Sequence, residues 1–186
     1  MSIIRDPNTG QAVEVTDEGR IKSDCVTQTM ESHTNQDEEE AYNAVFAVNP
    51  DAAGDCIFYL KNNSDNDIKL EGVWWQTSAA EEVYYKLAEV GTAVKTAGAD
   101  ITPGNMNSGS GNVADCDCYS NVGDGAVDIT GLTGGRTVQS LYLTSAESKY
   151  FNCEMDIFVQ KNQTFSIYAI GGDTLLRGTV VFHFHD

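Results

Sequence analysis

Residues 163–185, QTFSIYAIGGDTLLRGTVVFHFH, carry the clearest strand pattern of the chain. Two segments of this stretch have an apolar side chain at every second position: Phe165, Ile167 and Ala169, then Val180, Phe182 and Phe184. Alternation with a period of two, rich in β-branched and aromatic residues, predicts β-strands. Gly171, Gly172 and Asp173 separate the segments and have the composition of a hairpin turn. We therefore expect a hairpin that docks onto a sheet made by the preceding residues.

Short strands of the same kind recur along the chain. They are predicted at residues 41–48, 56–62, 68–76, 137–144 and 150–159. The Asn- and Asp-rich residues 63–67 are expected to return the chain beside the preceding strand, and residues 161–163 to turn into the final hairpin. About eight to ten short strands with Gly, Asn and Asp turns are typical of an antiparallel β-sandwich or jelly roll. The predicted fold class is all-β, with at most one short helix.

Residues 78–90 are consistent with either a helix or a strand. Ser78 and Glu81 match a helix capping box, and the apolar residues that follow have helical spacing. The same residues also alternate between apolar and polar positions, as a strand would. Because the surrounding chain is rich in predicted strands, we interpret this segment as a strand.

The predicted domain organisation is an extended N-terminal arm at residues 1–11 and a single sandwich domain at residues 12–186. The polar arm is expected either to fray or to order on a neighbouring subunit. Its candidate partner-binding residues are Ile3, Ile4, Arg5 and Pro7. Within the sandwich domain, residues at about 98–128 are rich in Gly, Asn and Asp, which predicts a long loop.

The composition restricts the classes of partner. The 186 residues include 11 basic and 28 acidic ones, giving a net charge of −17, and 41% are hydrophobic, which is enough for one core. Nucleic acids and anionic membranes attract Lys and Arg, so neither is an expected partner. No run approaches the ~18 apolar residues of a membrane span. The N-terminus lacks the features of a secretory signal, which predicts synthesis in a cytosol.

Two groups of residues are candidates for a metal site. Cys116 and Cys118 would face the same way on a strand, and His183 and His185 could complete a zinc site with them. An acidic loop that includes Asp124 could offer oxygen ligands to calcium, although the EF-hand spacing is absent. The alternative is that none of these residues binds a metal. The cysteines would then be ordinary loop residues, the histidines would lie on a polar strand face, and the acidic loop would be exposed to solvent. Neither ligand pattern is complete, so we predict no metal and no cofactor.

Known catalytic signatures are missing from the sequence. It contains no Gly-x-Ser-x-Gly nucleophile motif and no glycine loop that could hold a phosphate. The cysteine count of five is odd, which argues against a secreted disulfide scaffold. We therefore infer that the chain is not an enzyme.

The aromatic residues of the middle strands have two interpretations. Trp74 is expected to share a strand face with Ile68 and Leu70, and Trp75 to point the other way. Tryptophans in such pairs usually contribute to packing. The alternative is an exposed carbohydrate platform formed by four aromatic side chains, those of Trp74, Trp75, Tyr84 and Tyr85.

Several segments resemble small virion structural proteins of tailed bacteriophages. These are RDPNTGQA at residues 5–12 with GRI at 19–21, LKNNSD at 60–65, PGNMNSGSGN at 103–112, and GTVVFHFHD at 178–186. Together they are distributed over most of the chain. The Cys116-Asp117-Cys118 segment departs from what this resemblance leads us to expect.

The resemblance implies a β-sandwich or jelly-roll subunit of a phage particle, most similar to a head decoration or cement protein. Such a protein binds the major capsid protein or other virion proteins on the outside of the head, stabilises it, often forms a trimer, and has no catalytic residues. It is part of the virion, which is assembled in the bacterial host cytoplasm. A neck, baseplate or fibre-adaptor protein is an alternative, and so is a carbohydrate-binding module for host recognition.

Overall fold

A computed structural model describes residues 4–5, 12–13, 39–50, 52–95, 97–120, 129–172 and 174–185, with the backbone alone at 4–5, 12–13 and 154–156. Contacts divide the chain into two compact units, Met1–Met30 and Glu31–Asp186. In the first unit, β1 (Ile4–Arg5) pairs with β2 (Ala12–Val13) in an antiparallel ladder. The expected boundary between arm and sandwich, at residues 11 and 12, lies inside this unit. Ile3 and Pro7 lie outside the described residues.

The second unit contains ten described strands in two antiparallel sheets. Their bounds are β3 Ala41–Val48, β4 Asp55–Asn62, β5 Asp67–Thr77, β6 Glu81–Lys95, β7 Gly104–Asn105, β8 Cys116–Ser120, β9 Ile129–Leu143, β10 Ser148–Val159, β11 Thr164–Ala169 and β12 Leu176–His185. Sheet 1 has the order β10-β5-β12-β3-β7, and sheet 2 has the order β8-β4-β11-β6-β9.

The strand connections make this pair of sheets a jelly roll. The chain crosses from one sheet to the other between β3 and β4, β4 and β5, and β5 and β6, and it does so again at each step from β9 to β12. Two Greek keys folded in this way are the defining connectivity of the jelly roll. The predicted all-β antiparallel sandwich is confirmed. None of the described residues forms a helix that is long and apolar enough to cross a membrane.

Most of the ambiguous segment at residues 78–90 belongs to strand β6, which begins at Glu81, so the preferred interpretation is confirmed from that residue onward. Val83 and Tyr85 are buried, while Glu82 and Tyr84 are only partly buried, so the alternation places one face of the strand in the core. Gly91 lies inside β6 rather than at the end of a helix.

The turns were assigned wrongly, because the segments predicted to form hairpins carry the chain between sheets. β11 pairs with β4 and β6, whereas β12 pairs with β3 and β5, so Gly171 and Gly172 lie in an arch rather than a hairpin, and Asp173 lies outside the described residues. Residues 63–67 and 161–163 also connect strands of opposite sheets. Crossing lets the apolar faces of consecutive strands meet across the core, which buries both of them.

A buried carboxylate holds the arch between β11 and β12. Oε1 of Glu81 accepts hydrogen bonds from the backbone N–H groups of Glu82, Ile170 and Gly171, at 3.0, 3.1 and 2.6 Å. Glu81 is only 2% exposed. Backbone donors therefore satisfy Oε1, while Oε2 is buried without a hydrogen-bond partner among the described residues.

Aromatic side chains contact one another in the core between the sheets. Phe46 packs against Phe58 of the opposite sheet at 5.2 Å between ring centroids, and against Trp75 at 5.7 Å in an edge-to-face arrangement. Tyr85 contacts Phe165 edge to face at 5.5 Å. Each ring of this size buries a large apolar area.

A bulge in β5 explains a second difference from the sequence analysis. Phe182 of β12 pairs with Leu70 and Val181 pairs with Gly72, so Glu71 is an extra residue in the ladder. The bulge reverses the alternation beyond it. Leu70 is buried in the core, but Trp74 is 55% exposed, so the prediction that they share a face is wrong.

The predicted loop at residues 98–128 contains two strands. β7 adds a short edge to sheet 1 beside β3, and β8 adds an edge to sheet 2 beside β4. Residues 121–128 lie outside the described part of the chain.

Candidate binding surfaces

The cysteine pair predicted as a metal site lies in edge strand β8, with its side chains directed toward the core. Cys118 is buried in the main hydrophobic cluster, and Cys116 is partly buried against the same cluster. Burial, followed by the charges of Asp117 and Asp115, raises the pKa of the Cys116 thiol to about 12. Burial also raises the pKa of Cys118 well above its usual value. Both thiols are therefore protonated near pH 7 and lie against the hydrophobic core.

The two histidines of β12 lie in the other sheet from these cysteines. Nδ1 of His183 is 3.0 Å from Oε1 of Glu71, and the His183 side chain is 3% exposed, whereas His185 is exposed. The described residues contain no group of three His, Cys, Asp or Glu side chains that could hold a metal ion. Asp124 lies outside the described residues.

A pocket of about 250 Å³ opens on the outer side of sheet 2. Cys56, Tyr168, Ile129 and Leu132 are among the residues that line it. Burial, followed by the nearby charge of Glu89, raises the pKa of the Cys56 thiol, and burial raises the pKa of the Tyr168 hydroxyl. A thiol that stays protonated is a poor nucleophile. This pocket therefore contains no activated nucleophile among its described groups.

Strand β9 forms one edge of sheet 2. We define the β9 edge as residues 138–143, VQSLYL, which contain no charged side chain although the chain carries a net charge of −17. Val138 is 43% exposed and Tyr142 is 63% exposed. In the described part of the chain β9 pairs only with β6. Such an edge presents backbone N–H and C=O groups to which another chain can bind.

The opposite edge of sheet 2 is covered. Tyr119 of β8 forms a bridge with Asp100, Ile101 donates a backbone hydrogen bond to Cys118 at 2.8 Å, and Ser120 donates one to Ala99 at 2.8 Å. Residues 99–101 thus protect β8 from additional pairing. Of the two edges of sheet 2, the β9 edge is the one without a described cover.

The outer face of sheet 1 carries a row of four side chains that lie opposite one another on neighbouring strands. Tyr150 pairs with Trp74, Trp74 with Thr179, and Thr179 with Val45. We call these four residues the aromatic row. Trp74 is 55%, Val45 62% and Tyr150 39% exposed, and the rings of Trp74 and Tyr150 lie 4.6 Å apart between centroids at 34°.

A polar row lies next to the aromatic row on the same face. It consists of Ser148, Gln76, Arg177 and Ala47, which are paired across the same strands and are all exposed. Nη1 of Arg177 donates a hydrogen bond of 3.2 Å to Oε1 of Gln76. Rows two residues apart on a strand are separated by about 7 Å. The face therefore combines apolar rings with hydrogen-bonding groups within reach of one small ligand.

The predicted carbohydrate platform is wrong in its membership. Trp75 and Tyr85 are buried, and Tyr84 is only partly exposed on the other sheet. Trp74 alone is in a position to contribute, and its partner is Tyr150. The sequence analysis missed Tyr150, because the register of β10 against β5 is not visible in local patterns. The uncharged run at residues 138–143 does not distinguish the β9 edge in the sequence, since longer uncharged runs occur at residues 41–50, 101–114 and 162–172.

The chain matches no family model, and no curated protein or solved structure is significantly similar to it.

Proposed function

We propose that the chain is a structural subunit of a bacteriophage particle, a decoration protein that binds the outside of the head and stabilises it. The short segments that resemble phage virion proteins support this role. The jelly roll supports it too, since this fold is common in viral capsid proteins. The observation that carries the proposal is the β9 edge, an exposed and uncharged strand edge on a strongly acidic chain.

The proposed mode of binding is strand addition by the major capsid protein. A segment of the capsid subunit pairs with the backbone of the β9 edge, and Val138 and Tyr142 provide apolar contacts beside the ladder. Main-chain hydrogen bonds give affinity in this mode, and side-chain contacts give specificity. Holding a capsid subunit in this way requires no reacting group.

The acidic composition fits this role. A net charge of −17 keeps neighbouring copies soluble through mutual repulsion. The uncharged edge then limits contact with the particle to one part of the surface. The N-terminal arm, with Ile3, Ile4, Arg5 and Pro7 as its candidate contact residues, is proposed as a second attachment, and the attached form is proposed to be a trimer.

The test compares variants for binding to heads assembled without this protein. Val138→Lys and Tyr142→Lys place a charge on the β9 edge, and we expect each to reduce occupancy by about tenfold, as loss of an interface anchor does. Val94→Lys is the matched control, because Val94 is 59% exposed on β6 and lies outside the β9 edge. Full occupancy by both β9-edge variants would contradict strand addition. A chain lacking residues 1–11 tests the arm in the same assay.

Copy number distinguishes the alternatives within the particle. A decoration protein is expected to be present in the hundreds and to lie on the head, following the symmetry of the capsid. A neck, baseplate or fibre-adaptor protein would be present in small multiples of three or six. Quantitative mass spectrometry of purified particles, together with electron cryomicroscopy, measures both the number and the location. Absence of the chain from purified particles would exclude the proposal.

A further inference from the structure

We propose that the aromatic row is a binding site for a neutral oligosaccharide, an activity separate from attachment to a particle. Trp74 and Tyr150 present adjacent rings to solvent on an open sheet face. The four strands that carry the row span about 14 Å, given the usual strand spacing. The apolar C–H face of a sugar ring packs on aromatic rings, while its hydroxyl groups need hydrogen-bonding partners at the rim.

The polar row supplies those partners. Gln76, Arg177 and Ser148 provide an amide, a guanidinium and a hydroxyl, which include both donors and acceptors. They lie on one side of Trp74 and Tyr150, so a sugar over the rings can direct hydroxyl groups toward them. This combination of a few polar groups beside apolar side chains is typical of small-ligand sites.

The Tyr150 ring is positioned before any ligand binds. Gly72 lies beneath it, and a Cβ at that position would be 2.5 Å from the Tyr150 hydroxyl oxygen. The hydroxyl group also donates a hydrogen bond of 3.4 Å to the backbone oxygen of Glu71. A ring that is held in place loses little conformational entropy on binding, which favours affinity.

Area and charge select a neutral sugar over the other possible occupants. The exposed parts of the two rings amount to on the order of 200 Å². A stable protein interface buries about 800 Å² on each partner, so this row alone is too small for a second copy or another protein. The net charge of −17 repels anionic polysaccharides. A short neutral oligosaccharide satisfies both conditions.

The experiment titrates the chain with cellohexaose, xylohexaose, mannohexaose, maltohexaose and chitohexaose, and measures tryptophan emission. Trp74 is exposed and Trp75 is buried, so a sugar on the aromatic row changes the emission of the exposed indole. We expect saturable binding of at least one hexasaccharide at millimolar concentration. Trp74→Ala should weaken it by about tenfold or more, and Tyr150→Ala should weaken it too. Isothermal titration calorimetry measures the affinity of the variants that lack Trp74.

Val90→Ala is the matched control, because Val90 is 64% exposed on β6 of sheet 2, away from both the aromatic row and the β9 edge. It should bind the sugar like the unaltered chain, and all variants should keep their urea unfolding midpoint. Absence of binding for all five sugars would overturn the proposal, as would equal affinity in Trp74→Ala. Self-association that Trp74→Ala abolishes would also overturn it, since the occupant would then be a second copy. The Trp74→Ala variant is also tested for binding to heads. If it binds heads at full occupancy but no longer binds the sugar, the two activities are separate, and each proposal can be contradicted without the other.

Discussion

The indole N–H of Trp75 donates a hydrogen bond of 2.8 Å to the hydroxyl oxygen of Tyr85. Trp75 belongs to β5 of sheet 1 and Tyr85 to β6 of sheet 2, so this bond crosses the core between the sheets. Both side chains are buried, at 2% and 0% exposure. A hydrogen bond that joins the two sheets inside the core restricts how they face each other.

Tyr85→Phe should therefore lower the free energy of unfolding by about 1–3 kcal/mol, because the indole N–H loses its acceptor without gaining access to water. Urea unfolding followed by circular dichroism measures the change. Trp75→Phe should destabilise the Tyr85→Phe variant less than it destabilises the unaltered chain, since it removes the indole N–H that has lost its acceptor. Additive effects would show that the bond contributes nothing.

Glu81→Ala should lower the free energy of unfolding by about 1–3 kcal/mol, because the N–H group of Gly171 loses its carboxylate acceptor, whereas the N–H group of Ile170 keeps its hydrogen bond to the backbone oxygen of Glu82. Glu81→Gln should cost less, since an amide oxygen can still accept. The adjacent Glu82 is the control: its Oε1 accepts a bond from the exposed Ser140 hydroxyl group, and Glu82→Ala should cost less than about 1 kcal/mol. Equal losses of unfolding free energy for Glu81→Ala and Glu82→Ala, measured by urea unfolding, would contradict the stabilising role of the Glu81 carboxylate at the arch.

Gly178→Ala should destabilise the sandwich by about 1–3 kcal/mol, as overpacking of a core does. Gly178 lies in β12 directly beneath the ring of Phe46, and an added Cβ would overlap that ring. Phe46→Leu should recover part of the loss in the double variant, because the smaller side chain vacates the space. Calorimetry of the single and double variants provides the comparison, and a lack of recovery would mean that the strain lies in the backbone.

The buried thiols should make stability fall in alkaline solution. The pKa of Cys116 rises from 9.0 to about 12 on folding, chiefly through burial, so between these pH values the unfolded chain releases a proton that the folded chain keeps. Stability from this group is thus complete below pH 9.0 and is lost as the pH rises toward about 12, by about 1.4 kcal/mol per pH unit. Urea midpoints across this range measure it. Cys116→Ala should show a shallower decline, and an equal decline would assign the effect to other groups.

Residue patterns were sufficient to predict most of the long strands but not their partners. The alternation in residues 163–185 arises from side chains pointing to opposite faces, which is a property of a single strand. Whether the next strand lies beside it or across the core depends on contacts with distant residues. The composition of Gly171 and Gly172 suits either path, which is why an arch was taken for a hairpin.

The binding surfaces depended on two features that local patterns do not show. The bulge at Glu71 turns Trp74 outward, because one extra residue reverses the alternation of every position beyond it. The pairing of Tyr150 with Trp74 joins residues of separate strands. Cys116 and Cys118 were correctly expected to share a face. Their burial was not predicted, because the segment that forms β8 was interpreted as a loop.

The place of β12 between β3 and β5 has a consequence for biosynthesis. Leu176 pairs with both Val48 and Thr77, so the middle of sheet 1 stays vacant until the ribosome has made the residues that fill it. At usual translation rates, the edges of β3 and β5 that pair with β12 have no partner strand for on the order of ten seconds. During that interval a β12 segment from a neighbouring nascent chain can occupy the gap, which makes exchanged, intertwined subunits a natural by-product of crowded synthesis.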